Sequence, residues 1–297
     1  MKQTDFIPKD HAFKFSNRFV NELLTIKRFV FWGKTYKIET DGRCGGMAYA
    51  ALDYYFANEK IPEFTSGDFN NSDVPPDGHP LAGYISSRQM DSMVKGLHGL
   101  RDGRKFLSWT KKSTKVVLNN TLKREVPKVK REINRGRPVV LGLIKAKKVM
   151  EAGDNHQVVC YGYNDHHSGY TDFYIYDPNH PPGSAHYPSG EVLLSRRIRP
   201  KVNNPELGKE VPGDPSEPIK TITRAGHPFK TEKAGTWRGF FVQNYSQKPG
   251  FPTFEGPSKP GQNKDRPAPV PEPGPHPDKK RESGKHTGPG KPPIQRK

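Results

Sequence analysis

Apolar positions in the first half of the chain recur at helical spacing, whereas those of the second half run together in short β-branched blocks. In "NRFVNELLTIKRFVF", Phe19, Leu23, Ile26 and Val30 share one helical face, so a helix is expected there. A second helix starts at Cys44, carries Ala48, Ala51, Leu52 and Tyr55 as its apolar stripe, and ends by Pro62. Residues 63–80 are turn-rich, and a weaker helix follows from about Tyr84 to Leu97. Leu122, Val126, Val129 and Ile133 mark a fourth helix, in which Pro127 requires a late start or a kink. After Arg137 the pattern changes. "PVVLGLI", "HQVVCYGY" and "TDFYIYD" read as strands, the last two joined by the loop "NDHHSG". "EVLLSRRIR" and "WRGFFVQNY" read as further strands, separated by a proline-broken loop over residues 200–236. Helices first and an antiparallel sheet afterwards give an α+β fold.

Composition divides the chain. The last 52 residues hold 13 of the 30 prolines and few apolar side chains, Phe251, Phe254, Val270 and Ile294 among them. Such a segment buries too little surface to offset its ordering entropy, so 246–297 is expected to be a disordered Pro/Gly/Lys-rich tail behind a folded domain at 1–245. Both parts are basic within a net charge of +18, which favours anionic polymers or surfaces as weak electrostatic partners. Residues 111–137 alone carry ten Lys/Arg against two Glu. Nucleic-acid or polyanion binding is therefore an alternative function, although no zinc-finger spacing, helix-turn-helix or aromatic-interleaved RNA motif accompanies the charge. The opening "MKQTDFIPKDHAF" has no apolar signal core, and no apolar run approaches the roughly 18 residues of a membrane span. The expectation is a protein without a membrane span, cytoplasmic by default, with signal-independent export left open.

Two cysteines make no disulfide framework. Cys160 sits in a strand-like apolar run, but Cys44, within "GRCGGMAYAALDYY", stands at a helix start, where a thiol pKa is lowered and a nucleophile results. Gly45 and Gly46 are expected to let a substrate carbonyl approach the first turn. A base is supplied by His156, which opens a strand. A hairpin loop over 164–169, centred between His166 and His167, puts Asp177 directly opposite His156 on the same face. Asn179 shares that face and is the other candidate for orienting the ring. His156, His166, His167, His180 and His186 fit no zinc spacing, so no metal and no cofactor is expected. If Cys44 is instead a core residue, the protein is a binder.

"GRCGGMAYAALDYY", "NHQVVCYGY" and "YIYDPN" together resemble the papain-like cysteine peptidase superfamily, and within it the C39-like bacterial branch. The resemblance implies a papain-like fold, a peptide or protein substrate, Cys44 as nucleophile, His156 as base and Asp177 as orienting acid. It implies a thiol hydrolase: a cysteine peptidase, or a related amide hydrolase or acyl transferase. The chain departs from the family six residues before the cysteine, where Ile38 stands in place of a glutamine that donates to the oxyanion. Thr40, Asp41 and Asn17 are candidate substitutes. This departure keeps an inactive or non-peptidase papain-like binder in view as the other alternative.

Overall fold

The computed structural model describes residues 1–19, 26–31, 34–38, 42–69, 72–166, 171–183, 192–195, 219–223 and 236–254. Helices pack against an antiparallel sheet that curls on itself. Its eight strands are β1 (Lys2–Gln3), β4 (Val139–Ile144), β5 (His156–Asp165), β6 (Thr171–Tyr176), β7 (Val192–Ser195), β8 (Ile219–Thr223), β9 (Thr236–Trp237) and β10 (Gly239–Val242). They run in the order β10-β4-β5-β6-β7-β8-β9, with β1 added on β5. The two outermost strands of that order, β9 and β10, are separated in the chain by Arg238 alone. One residue therefore joins the two edges, and its N–H bonds to the Ile144 carbonyl at 2.7 Å. Closure of this kind leaves few open strand edges.

The curled sheet has an apolar inside built from Leu141, Leu143, Val158, Cys160, Phe173, Ile175, Leu194, Trp237 and Phe240. Phe173 and Phe240 meet edge to face across it, with ring centroids 5.4 Å apart. On the outer face Val140, Val159, Tyr161, Tyr174, Tyr176 and Leu193 pack under α2 (Cys44–Phe56) and α3 (Pro80–Met93). Full burial of side chains of this size is worth about 1.5–3 kcal/mol each, which is why α2, buried along nearly its whole length, needs no strong helix formers at its glycine-rich start.

Several elements differ from the sequence expectation. Ile26–Phe31 is a strand, β2, paired antiparallel with β3 (Lys34–Ile38), where a helix was expected. "IKRFVF" is β-branched and aromatic, and a strand partner lies a few residues away, so local pairing overrides the helical spacing; residues 20–25 lie outside the described residues. The expected helix over 84–97 becomes two: α3 starts at Pro80, and α4 (Gly96–Thr110) begins after Gly96 takes φ +68°. The fourth helix is three pieces, α5 (Thr114–Asn120), a π turn at Thr121–Glu125 and α6 (Val126–Asn134). The π turn absorbs Pro127 near the start of α6 and shifts the buried face, so Thr121 and Glu125 turn inward while Leu122 is exposed. The loop expected at 200–236 contains β8.

The packed chain also runs past 245. Asp53, fully buried on α2, accepts from Arg88, Tyr84, Tyr245 and the Lys248 backbone N–H. Farther on, Phe251 packs on Tyr54 and Phe254 stacks on His79. The segment 246–254, expected within the tail, is thus held on the α2–α3 face; residues 255–297 lie outside the described residues. Among the described residues, no helix is long and apolar enough to cross a membrane.

Candidate active site

Cys44 is the first residue of α2. The turn into it is left-handed at Gly42 (φ +81°), and a Cβ there would fall 2.3 Å from the Asn17 side-chain nitrogen. The two following glycines serve packing rather than access. A Cβ on Gly46 would lie 2.1 Å from the Ile85 carbonyl oxygen of α3, and one on Gly45 would meet Gln157 Oε1 at 2.1 Å. The Gly46 N–H is taken up by Gln89 Oε1 at 2.7 Å. The expected open approach over these two residues is corrected: α3 and β5 fill that side.

β5 opens at His156 and β6 ends just before Asp177. His156 Nε2 and Asp177 Oδ1 are 2.7 Å apart. A carboxylate only accepts, so Nε2 carries a proton toward Asp177. The register that brings the pair together is not the expected one. The strand β5 runs on to Asp165, so the loop is later, and Val159 pairs with Tyr176 where the expected register pairs it with Tyr174. A bulge at Tyr161 also intervenes. The slip preserves parity: Asp177 comes opposite Val158 and reaches His156 as its diagonal neighbour on the inner face. His156 is further fixed by Trp237, whose ring stacks on it at 5.8 Å and 16°.

Both groups are nearly enclosed, His156 at 6 % exposure and Asp177 at 2 %. Burial disfavours the imidazolium, but the Asp177 carboxylate and the Cys44 side chain, by charge and hydrogen bonding, outweigh it and hold the His156 pKa well above its ordinary value. Asp177 is held far below the carboxylate range, because His156 and His180 together overcome its burial. His180 Nδ1 stands 3.2 Å from Asp177 Oδ2. From the sequence, His180 is weighed only as a zinc ligand; its place three residues after Asp177 was the available signal.

The thiol has a second polar neighbour. Ser92 O accepts from Gln243 Nε2, Gln243 Oε1 accepts from Gln157 Nε2, and Gln157 Oε1 therefore faces Cys44 Sγ at 4.0 Å. The carbonyl at the head of this chain fixes both amide orientations, so Gln157 offers the site an acceptor and not a donor. No periodicity or motif announces these glutamines. Cys44 borders a narrow recess lined by Met93, Phe106, Ala152, Gly153 and Asn155.

The remaining candidates are distributed as follows. Asn179 does not orient the ring: its backbone N–H donates to Asp177 Oδ1, and its side chain accepts from Asn17. Asn17 lies beside the start of α2. Ile38 sits in β3 opposite Ile26, while Thr40 and Asp41 lie outside the described residues. His166 pairs with Asp172 in the β5–β6 hairpin, and His167 and His186 lie outside the described residues. Among the described residues no cluster of His, Cys, Asp or Glu has the arrangement of a metal site. Cys160 is fully buried within the sheet, where burial pushes its thiol pKa up to about 12. No protein-family model, curated protein or solved structure matches this chain.

Proposed function

We propose that the chain is a papain-like thiol hydrolase, a cysteine peptidase or related amide hydrolase or acyl transferase, acting through Cys44, His156 and Asp177. The observation that carries the reading is the 2.7 Å contact of His156 Nε2 with Asp177, with Cys44 at the N-terminus of α2 near enough for its side chain to help raise the imidazole's pKa. In this reading Asp177 orients the ring and stabilises the imidazolium, the thiol proton already rests on His156, and the Cys44 thiolate attacks an amide carbonyl. The sulfur–carbon bond forms, the carbonyl electrons move to oxygen, and the Cys44 N–H faces the oxyanion. His156 returns its proton to the leaving amine as the carbon–nitrogen bond breaks, and water or another nucleophile releases the acyl group from sulfur.

The test is turnover of a casein or unstructured-peptide library by the full chain and by Cys44→Ala, His156→Ala and Asp177→Asn. The first two are expected to abolish turnover and the third to lower it about 10²-fold or more, all three remaining folded. Activity that survives Cys44→Ala rejects the reading. An exposed excess of positive charge supports a second property, electrostatic attraction to polyanions, which coexists with the first.

A further inference from the structure

Three hydrogen bonds converge on Asn17, and each ends next to a residue of the candidate site. Its backbone N–H donates to the Pro178 carbonyl at 2.9 Å. Its side-chain Oδ1 accepts from the Arg43 backbone N–H at 2.5 Å, and its Nδ2 donates to Asn179 Oδ1 at 3.1 Å. Arg43 immediately precedes Cys44, and Pro178 and Asn179 immediately follow Asp177. Asn179 closes the circuit, since its own N–H donates to the Asp177 oxygen that holds His156.

We propose that Asn17 is a positioning residue: it clamps the start of α2 to the turn after β6 and thereby sets the approach of Cys44 to His156. This rests on the thiol–imidazole reading above. No other described side chain bonds both to the residue before Cys44 and to the turn after Asp177. The clamp is tight on both sides. Gly42 is required because any Cβ would strike the Asn17 amide, and Arg43 is itself anchored, its buried guanidinium lying 4.5 Å over the Phe19 ring and bonding to the Ala82 carbonyl. With Oδ1 committed to an N–H, the amide cannot flip, so Nδ2 must face Asn179. Loosening this link frees the helix start relative to the imidazole, and a misplacement of about 1 Å at reacting atoms costs about 10²-fold in rate.

The experiment follows alkylation of Cys44 in the full chain by iodoacetamide from pH 4 to 10, read by mass at that residue. In the wild type, a thiolate paired with the imidazolium is expected to alkylate at pH 6 faster than free glutathione does. Asn17→Ala and Asn179→Ala are each expected to lower the rate at pH 6 about tenfold to a hundredfold and to leave the rate at pH 10 little changed. The double variant is expected to be no worse than the worse single one, because both remove the same link. Asn17→Asp, which keeps the acceptor for Arg43 but not the donor to Asn179, is expected to show the same direction of change. If Asn17→Ala fails to fold, Asn179→Ala, whose backbone bond to Asp177 is intact, decides. Folded variants with the wild-type profile overturn the clamp alone. A wild-type Cys44 that alkylates like an ordinary cysteine overturns the site reading itself, and the clamp with it.

Discussion

At His156 two effects compete: burial disfavours the imidazolium, while the Asp177 carboxylate and the Cys44 side chain favour it and prevail. Because its folded pKa is raised from 6.5 to about 10, His156 contributes stability that is fully present below 6.5 and lost as pH rises toward 10. Asp177, depressed from 3.8, contributes stability present above 3.8 and lost as pH falls through its folded value. Their joint contribution is therefore greatest between those two reference values. Asp177→Asn is expected to melt lower by about 3 kcal/mol, roughly 6–12 °C, at pH 5–6, and the gap is expected to narrow by pH 9.5. Equal gaps at both pH values would exclude a charged imidazole as the partner. The two thiols differ in the same terms. Cys160 is fully buried with its pKa pushed up to about 12, so mass mapping is expected to find it unlabelled until the chain unfolds, with Cys44 labelled first. The identities of Cys44, His156 and Asp177 were legible because each stands at a sequence-marked end of an element. Gln157 and Gln243 were not, because their roles depend on neighbours from other elements, and His180 was signalled only by its place three residues after Asp177.

The α2–α3 contact is set by the absence of a side chain. Gly46→Ala puts a methyl 2.1 Å from the Ile85 carbonyl oxygen, and backbone cannot yield as a flexible side chain does. It is expected to cost about 1–3 kcal/mol or more, measured by urea unfolding. Gly45→Ala meets the ends of the Gln157 and Ser92 side chains instead, and is expected to cost less stability while displacing Gln157 from the thiol. A Gly46→Ala variant as stable as the wild type would show that the two helices have slack. The segment 246–254 is a second element-scale case. A chain ending at Tyr245 loses the Arg88 bond to the Ser246 carbonyl, the Lys248 N–H bond to Asp53 and the Phe251 and Phe254 contacts, whereas one ending at Pro257 keeps all of them. The shorter chain is expected to unfold at lower temperature than the longer by several degrees; matching melts would show that Asp53 and Arg88 suffice alone.

At the scale of the molecule, a net charge of +18 gives a field that attracts anionic polymers. Binding to heparin or duplex DNA is expected to weaken about tenfold or more between 50 and 200 mM salt, as measured by fluorescence anisotropy, with no preference between DNA sequences. Tight binding that ignores salt and selects a sequence would make nucleic-acid recognition the leading function. Closure of the sheet is the other property of the whole. Trp237 from β9 stacks on His156 from β5 only because β8 and β9 carry the chain around to β10. His156 is thereby held by the far end of the sheet.

What the sequence determined by itself was local: the start of α2 at Cys44, the strands around residues 139–144, 156–165 and 171–176, and the parity that puts His156 and Asp177 on one face. These follow from periodicity and turn chemistry, which act between near neighbours. Parity survived even though the register slipped by the bulge and the longer strand, since a shift of two residues returns each side chain to its face. Tertiary structure decided the rest. Pairing made a β2–β3 hairpin from a helical pattern, close packing rather than substrate access fixed Gly45 and Gly46, and the Asp53–Arg88 pair drew 246–254 onto the helices despite its prolines. The hairpin joins strands only a few residues apart, but in the other two cases the deciding contact joins residues far apart in the chain, and its energy depends on where the whole fold places them.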